Sequence, residues 1–422
     1  MTIKTGQELV DKIKANPNGF YELGNDISME NVTGADQVYI NCTFIGKLDG
    51  NGYKITNATK PLFTRITNSY VADLTIQDTA EAEKDWIAKT KHYTIVVKEQ
   101  KKETVKEIRT LADLKEIGQN KAQKYVLKAD IDASEVTETA IAKGNFSGIL
   151  DGEGHSITGL KVPLLEKTER AEIRNLTVKN VQISNQNAEN AAITKRSHHT
   201  VFENLNLENI TISGTSYNGA ITGYDYTGSV FNKIQIRNAK ITGTKNYNAV
   251  FAGRASGSQI SNIAVIESNV TLSGTDNGGF IGAGKNLAIR QVYSDADITV
   301  VNYNDAQNRT NSAGFIGNLA GESSVQHVLS VGNIVEDDAG KDFYQFLGTP
   351  DVLGKYVSDS FVSVGTGGLS NITEGKLTEV SKEVQKTIEF YRDRLQFNEE
   401  NWYLKLVGMK AILRFSECRK LK

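Results

Sequence analysis

The chain has 422 residues with 37 Gly, 4 Pro, 2 Cys and 5 His, and a formal net charge of -2. No apolar run approaches the roughly 18 residues that span a bilayer, which excludes a membrane-spanning helix. With 48 basic against 50 acidic residues, the chain has no electrostatic footprint for nucleic acid or anionic lipid. Cys42 and Cys418 stand almost a whole chain apart, so a disulfide framework and a Cys-rich zinc site are excluded as well. Cys42, within Val38-Tyr39-Ile40-Asn41-Cys42-Thr43-Phe44, reads as a small buried strand residue. The start Met1-Thr2-Ile3-Lys4 has no basic stretch followed by an apolar one, so no secretory signal is visible and this start alone reads as cytoplasmic.

In chain order, the first feature is a unit that occurs twice. Ile3-Lys4-Thr5 followed by Glu8 to Ile13 has its counterpart in Ile108-Arg109-Thr110 followed by Asp113 to Ile117, and both read as short amphipathic helices. Strand-like runs ending in Asp26-Ile27 and Asp130-Ile131 come next, then Gly46-Lys47-Leu48-Asp49-Gly50-Asn51-Gly52 and Gly148-Ile149-Leu150-Asp151-Gly152-Glu153-Gly154. An Asp-Gly-x-Gly between two alternating runs is a turn: Asp bonds nearby backbone N–H groups and Gly takes positive φ cheaply. Asp49 and Asp151 are therefore read as structural. Both copies continue to Pro61-Leu62-Phe63 or Pro163-Leu164-Leu165. Residues 81–107 carry 13 charges in 27 positions and read as a linker.

A second, shorter period starts where the second copy ends. Leu176, Leu205, Ile234, Ile263 and Val292 fall 29 residues apart, and the same column is expected to continue at Val328 and Phe361. Ile183, Ile212, Ile241 and Val270 keep the same step, as do glycine-ending segments such as Ala220-Ile221-Thr222-Gly223 and Gly279-Phe280-Ile281-Gly282. Three short strands per repeat, glycines at corners and scarce proline predict an all-β protein, a right-handed parallel β-helix of about seven rungs of ~29 residues. The expected organisation is a first repeat unit over 1–80, the linker over 81–107, a second repeat unit and cap over 108–172, the β-helix over 173–375, and a helical C-terminal segment over 376–422. In that last segment Val384, Ile388, Tyr391 and Leu395 share one helical face, and its end looks truncated.

No catalytic motif is present. His-Glu-x-x-His, Gly-x-Ser-x-Gly and a Walker loop are all missing, and His198-His199 read as a solvated loop rather than a metal site. Asp225, Asp276, Asp295, Asp297 and Asp305 are the carboxylates that a polysaccharide-cleaving β-helix would need on neighbouring rungs, but each lies in a turn context. A more coherent surface is Tyr217-Asn218 and Tyr247-Asn248, one rung apart, with Tyr224, Tyr226 and Arg254 nearby. Exposed, it would bind protein or glycan; buried, it would stiffen the rod.

The duplicated Leu-Asp-Gly-x-Gly units with Pro61-Leu62-Phe63 and Pro163-Leu164-Leu165, followed by Gly-x-Ile-Gly rungs, resemble the noncatalytic N-terminal region of streptococcal zinc metalloproteases, the immunoglobulin A1 proteases and their relatives. The resemblance covers residues 1 to 375. The family's enzyme carries a thermolysin-like zinc site on a large C-terminal domain, none of which is here. No catalytic residue or metal ligand carries over, and zinc is implied only for a domain outside this chain. The resemblance implies a fragment that positions substrate or acts as a spacer. It also implies an extracellular or cell-surface location without a visible wall-sorting motif, a host glycoprotein partner such as immunoglobulin A, and a monomer. A free-standing adhesin binding host glycan or protein, and a polysaccharide lyase or hydrolase, remain the alternatives.

Overall fold

The computed structural model describes residues 2–66, 70–76, 87–90, 95–96, 105–118, 123–184, 188–301, 311–335, 343–397 and 402–415, apart from residues 18, 45, 73, 137, 366, 368–369, 371, 373–375 and 408–409. The chain forms two compact units, Met1–Thr104 and Val105–Lys422.

In the first unit, Thr5 starts the helix Gly6–Ala15 by accepting the N–H of Glu8 on its hydroxyl at 3.2 Å. Leu9, Val10 and Ile13 on one side of this helix are wholly buried and join the same apolar cluster as Ile40, Phe44, Leu48 and Phe63. The Tyr21 hydroxyl also reaches the carbonyls of Lys12 and Asn16 at the end of this helix, at 2.8 and 2.7 Å. All strands named here pair in parallel: Phe20–Leu23, Lys47–Asp49 and Tyr70–Ala72 in one sheet, Ile40–Phe44 and Phe63–Ile66 in a second, Ile27–Ser28, Lys54–Thr56 and Thr75–Ile76 in a third. The linker expected over 81–107 is narrower than its charge implied. Ile87–Thr90 pairs with Phe63–Ile66, Ile95–Val96 pairs with Tyr70 and Val71, and Val105–Ile108 opens the second unit. Cys42 is half-buried rather than buried, on the strand Ile40–Phe44.

The second unit opens with the same device. Thr110 and Asp113 cap the helix Leu111–Lys115 reciprocally, each side chain accepting the other's backbone N–H at 3.2 and 2.9 Å. Asp151 accepts the Glu153 N–H at 3.0 Å as Asp49 accepts that of Asn51 at 2.9 Å, so both are turn residues. Asp151 also takes the Arg174 guanidinium at 2.7 Å; burial pushes its carboxyl up, but Asn175 and Arg174 outweigh it and hold the carboxyl below its usual value. From Val105–Ile108 to Leu377–Val380 eleven strands follow one another along a single 15-stranded parallel sheet. At about 4.8 Å per strand that stack is roughly 48 Å long. This is a parallel β-helix, and the second copy of the duplicated unit forms its first coils without a break.

The 29-residue spacing is the observed register: Leu176 pairs with Leu205, Leu205 with Ile234, Ile234 with Ile263, and Ile263 with Val292. Inside the coils Phe202 and Phe231 stack at 4.9 Å, and Phe251, Phe280, Phe315 and Phe346 continue a column at 4.7–5.0 Å. The column does not reach Phe361, because Phe361 pairs with Leu329 and not with Val328. Val292 does pair with Val328, but the next coil steps by 32 residues, as in Val325 with Val357, so Phe361 falls one place past the column, and one place turns a strand side chain to the other face.

Most corners are not glycines. Long strands such as Val201–Gly214 bend twice, at Asn204 and Asn209, which adopt φ of 54° and 58°, and Asn175, Asn180, Asn238 and Asn262 do the same in neighbouring coils. Asparagine reaches this left-handed region at little cost and its amide bonds the next rung: Asn204 donates to Asn175 at 2.8 Å and Asn238 to Asn209 at 2.7 Å. Gly223, Gly253, Gly282 and Gly317 instead lie where neighbouring backbones touch; a Cβ on Gly253 would come within 2.6 Å of the Gly223 and Tyr247 carbonyl oxygens.

The C-terminal segment does contain helical turns, at Val384–Lys386 and Phe390–Arg394, but not one amphipathic face, since Val384 is exposed while Tyr391 and Leu395 are buried. Phe390, Tyr391, Leu395, Phe397 and Trp402 cover Ala264, Ile266, Leu329 and Phe361 on the outside of the long-strand sheet. The Trp402 indole N–H donates to Asn262 at 3.1 Å and fastens this strap.

Candidate functional site

Over the second half of the short strand Thr222–Thr227 side chains alternate: Tyr224 is half-buried, Asp225 is buried and Tyr226 is exposed. Tyr217 and Tyr247 occupy equivalent left-handed corners of successive coils, with φ of 55° and 64°. The corner rings and the strand rings form one continuous group. Tyr217 stacks on Tyr247 at 4.7 Å and on Tyr224 at 5.3 Å, Tyr224 on Tyr226 at 3.9 Å, and Tyr226 on His198 at 5.3 Å. The Arg254 guanidinium lies over Tyr224 and Tyr247 at 5.1 and 5.9 Å from the ring centroids.

Five of the seven residues singled out from sequence, Tyr217, Tyr224, Tyr226, Tyr247 and Arg254, are thus brought together at the surface. Asn218 and Asn248 are not. Both are wholly buried, because the residue after each corner turns inward, and they belong to an internal ladder in which Asn190 donates to Asn218 at 2.8 Å, Asn218 to Asn248 at 2.6 Å and Asn248 to Asn277 at 3.0 Å. Sequence reasoning missed His198 and Arg196. These short strands step by 28 residues, Arg196 pairing with Tyr224, rather than by 29, and a register shift then pairs His198 with Thr227 beside Tyr226.

Burial pushes the Tyr224 and Tyr247 hydroxyls above their usual range, with Arg254 opposing it, so both are neutral donors at physiological pH. Burial, then the nearby Lys167 charge, lowers the His198 imidazole below 6.5. Among the described residues no hydroxyl of Tyr217, Tyr224, Tyr226 or Tyr247 bonds a protein group. On the same face Arg196 is held by Glu189 at 2.5 Å, and Lys167 and Arg170 approach Glu169 at 3.7 and 3.6 Å, while Arg254 has no carboxylate partner among the described residues.

The aspartates expected of a polysaccharide enzyme are scattered and occupied. Asp225 is sealed inside, accepting from Ser197 at 2.9 Å, from Ser229 at 2.5 Å and from Ser258. Asp276 accepts from Asn318 at 2.9 Å, Asp295 from the Glu267 N–H at 3.2 Å, and Asp297 from the Asn333 N–H at 2.7 Å. Asp305 lies outside the described residues. Among the described residues no three His, Cys, Asp or Glu side chains cluster as a metal would need. Nor is any described helix long and apolar enough to cross a membrane.

The M26 IgA1-specific metallo-endopeptidase N-terminal region matches residues 3–90 and 75–214, together half of the chain. The chain belongs to this family. The first match of the M26 N-terminal region lies within the first unit and the second mostly within the other. Curated relatives of this M26 chain include two immunoglobulin A1 proteases of Streptococcus pneumoniae. One is 30% identical over 161 residues, covering 36% of this chain and 7% of that protein; the other is 38% identical over 82 residues, covering 18% and 4%. The chain therefore spans under a tenth of either relative. A solved Bacteroides ovatus structure assigned to the immunoglobulin A1 proteases is similar with a TM-score of 0.46 and 16% identity, over 74% of this chain and 92% of that one. A solved IgA1 protease is similar with a TM-score of 0.39 and 17% identity, over 68% and 22%.

Proposed function

We propose that this chain is a noncatalytic recognition module that holds a host glycoprotein, immunoglobulin A foremost, outside the cell for a protease of the M26 family. One observation carries the recognition role. The tyrosine surface is preorganised by corners and stacking, and its hydroxyls and Arg254 are left without protein hydrogen-bond or ion-pair partners among the described residues. Rigid aromatic side chains with free polar edges lose little conformational entropy on binding, which makes them effective anchors. The substrate comes from the names of the relatives, and the location follows from an immunoglobulin being an extracellular glycoprotein.

Surface plasmon resonance with immobilised immunoglobulin A tests the reading. Saturable binding that disappears in the Tyr217→Ala, Tyr247→Ala double variant supports it. Absence of saturable binding by the folded chain removes the recognition role and leaves a spacer.

A further inference from the structure

The same surface indicates what kind of group it takes, an inference that rests on the recognition role proposed above. Its rings stack on one another, so most ring faces are spent and cannot serve as platforms for a sugar face. What they present is edges: the hydroxyls of Tyr217, Tyr224, Tyr226 and Tyr247, on one stack whose Tyr224 and Tyr247 rings hold a guanidinium. Arg254 is the distinctive member. Arg196, Lys167 and Arg170 on this face each have a glutamate, whereas Arg254 lies over two rings with its N–H donors uncommitted among the described residues. A guanidinium fixed in this way is a fork for a carboxylate.

An acidic protein side chain would use that fork and leave the hydroxyls idle. A carboxylated sugar would use both, its acid on Arg254 and its hydroxyls on the tyrosine edges. The geometry points to a carboxylated sugar at the end of a glycan as the group this surface binds, with Arg254 as its anion receptor. Tyr224 and Tyr226 supply hydrogen bonds to its hydroxyls.

The test titrates the full chain with the methyl glycosides of N-acetylneuraminic acid and glucuronic acid, following tyrosine ring resonances. The sialoside methyl ester, methyl galactoside and a Glu-rich peptide serve as comparisons. The expected result is saturable binding of at least one carboxylated sugar and loss of binding to the ester. Affinity falls about tenfold in Arg254→Lys, which keeps the charge but not the fork, and more modestly in Tyr224→Phe. Failure of both carboxylated sugars to bind, equal binding of ester and acid, an unaffected Arg254→Lys variant, or capture of the acidic peptide alone would each overturn the inference. Immunoglobulin A stripped of carboxylated sugars separates the two readings: undiminished binding that still depends on Tyr217 and Tyr247 keeps the recognition role and refutes the sugar acid.

Discussion

Replacing Asp225 by Asn should flatten the acid side of this protein's stability profile. The Asp225 carboxylate is wholly enclosed, and although Ser197, Ser229, Ser258 and the Ser256 amide all donate to it, burial wins and raises its pKa from 3.8 to about 6. A carboxyl whose folded value exceeds its unfolded value stabilises the fold fully below the unfolded value, and that contribution is lost as pH rises through the folded one. The window is therefore pH 4 to 7. A rise of about two pH units corresponds to about 3 kcal/mol across it. In Asp225→Asn the amide oxygen still accepts from Ser197 and Ser229, and the amide N–H₂ donates to Ser258, whose proton then turns from position 225 to the Ser256 carbonyl, 2.7 Å away. The variant should match or exceed the parent at pH 7.5 and fall behind it by about 3 kcal/mol at pH 4 relative to that comparison. Urea unfolding followed by far-ultraviolet circular dichroism, in pH steps for both proteins, gives the difference profile in which all other titrating groups cancel. Parallel profiles for the two proteins would refute the reasoning.

Phe280→Ala removes a ring stacked on Phe251 and Phe315 and should cost about 3–5 kcal/mol, read as a lower urea midpoint. Gly253→Ala places a methyl 2.6 Å from the Gly223 and Tyr247 oxygens and the Tyr217 Cα, so about 1–3 kcal/mol of stability should be lost, with displaced Tyr217 and Tyr247 ring resonances. Trp402→Ala empties the strap's anchor on Asn262 and Phe397; limited proteolysis should then cut between residues 376 and 402 much faster, while the Phe280 region stays protected.

The register of the central coils was readable because in-register parallel stacking demands the same class of side chain at the same place in every repeat. Leu176 to Val292 therefore announce their pairing by spacing alone. Phe361 was misplaced because insertions break that arithmetic by a single residue, and spacing cannot reveal on which side of the insertion the register resumes. The corners were misread for another reason. Their conformation is a backbone demand that asparagine meets most often but that Lys233, Glu267 and Gln291 also meet, so glycine does not mark them. The tyrosine surface was half legible. Tyrosines one coil apart flag a column, but the inward turn of Asn218 and Asn248 depends on the corner before them. The Asp225 nest draws on Ser197, Ser229 and Ser258 from three coils, none of which is notable in its own segment.

The glycine column beneath the corners has a consequence for how such a molecule changes over time. Gly223, Gly253, Gly282 and Gly317 fix the backbone, while the corner residues above them, Glu189, Tyr217, Tyr247, Asp276 and Asn311, have little in common beyond an adopted φ. Architecture and display are thus written in separate positions. Each coil offers in this row a corner whose residue can change while the glycines hold the backbone, so a row of such coils can drift toward a new ligand one character at a time while its spine stays the same.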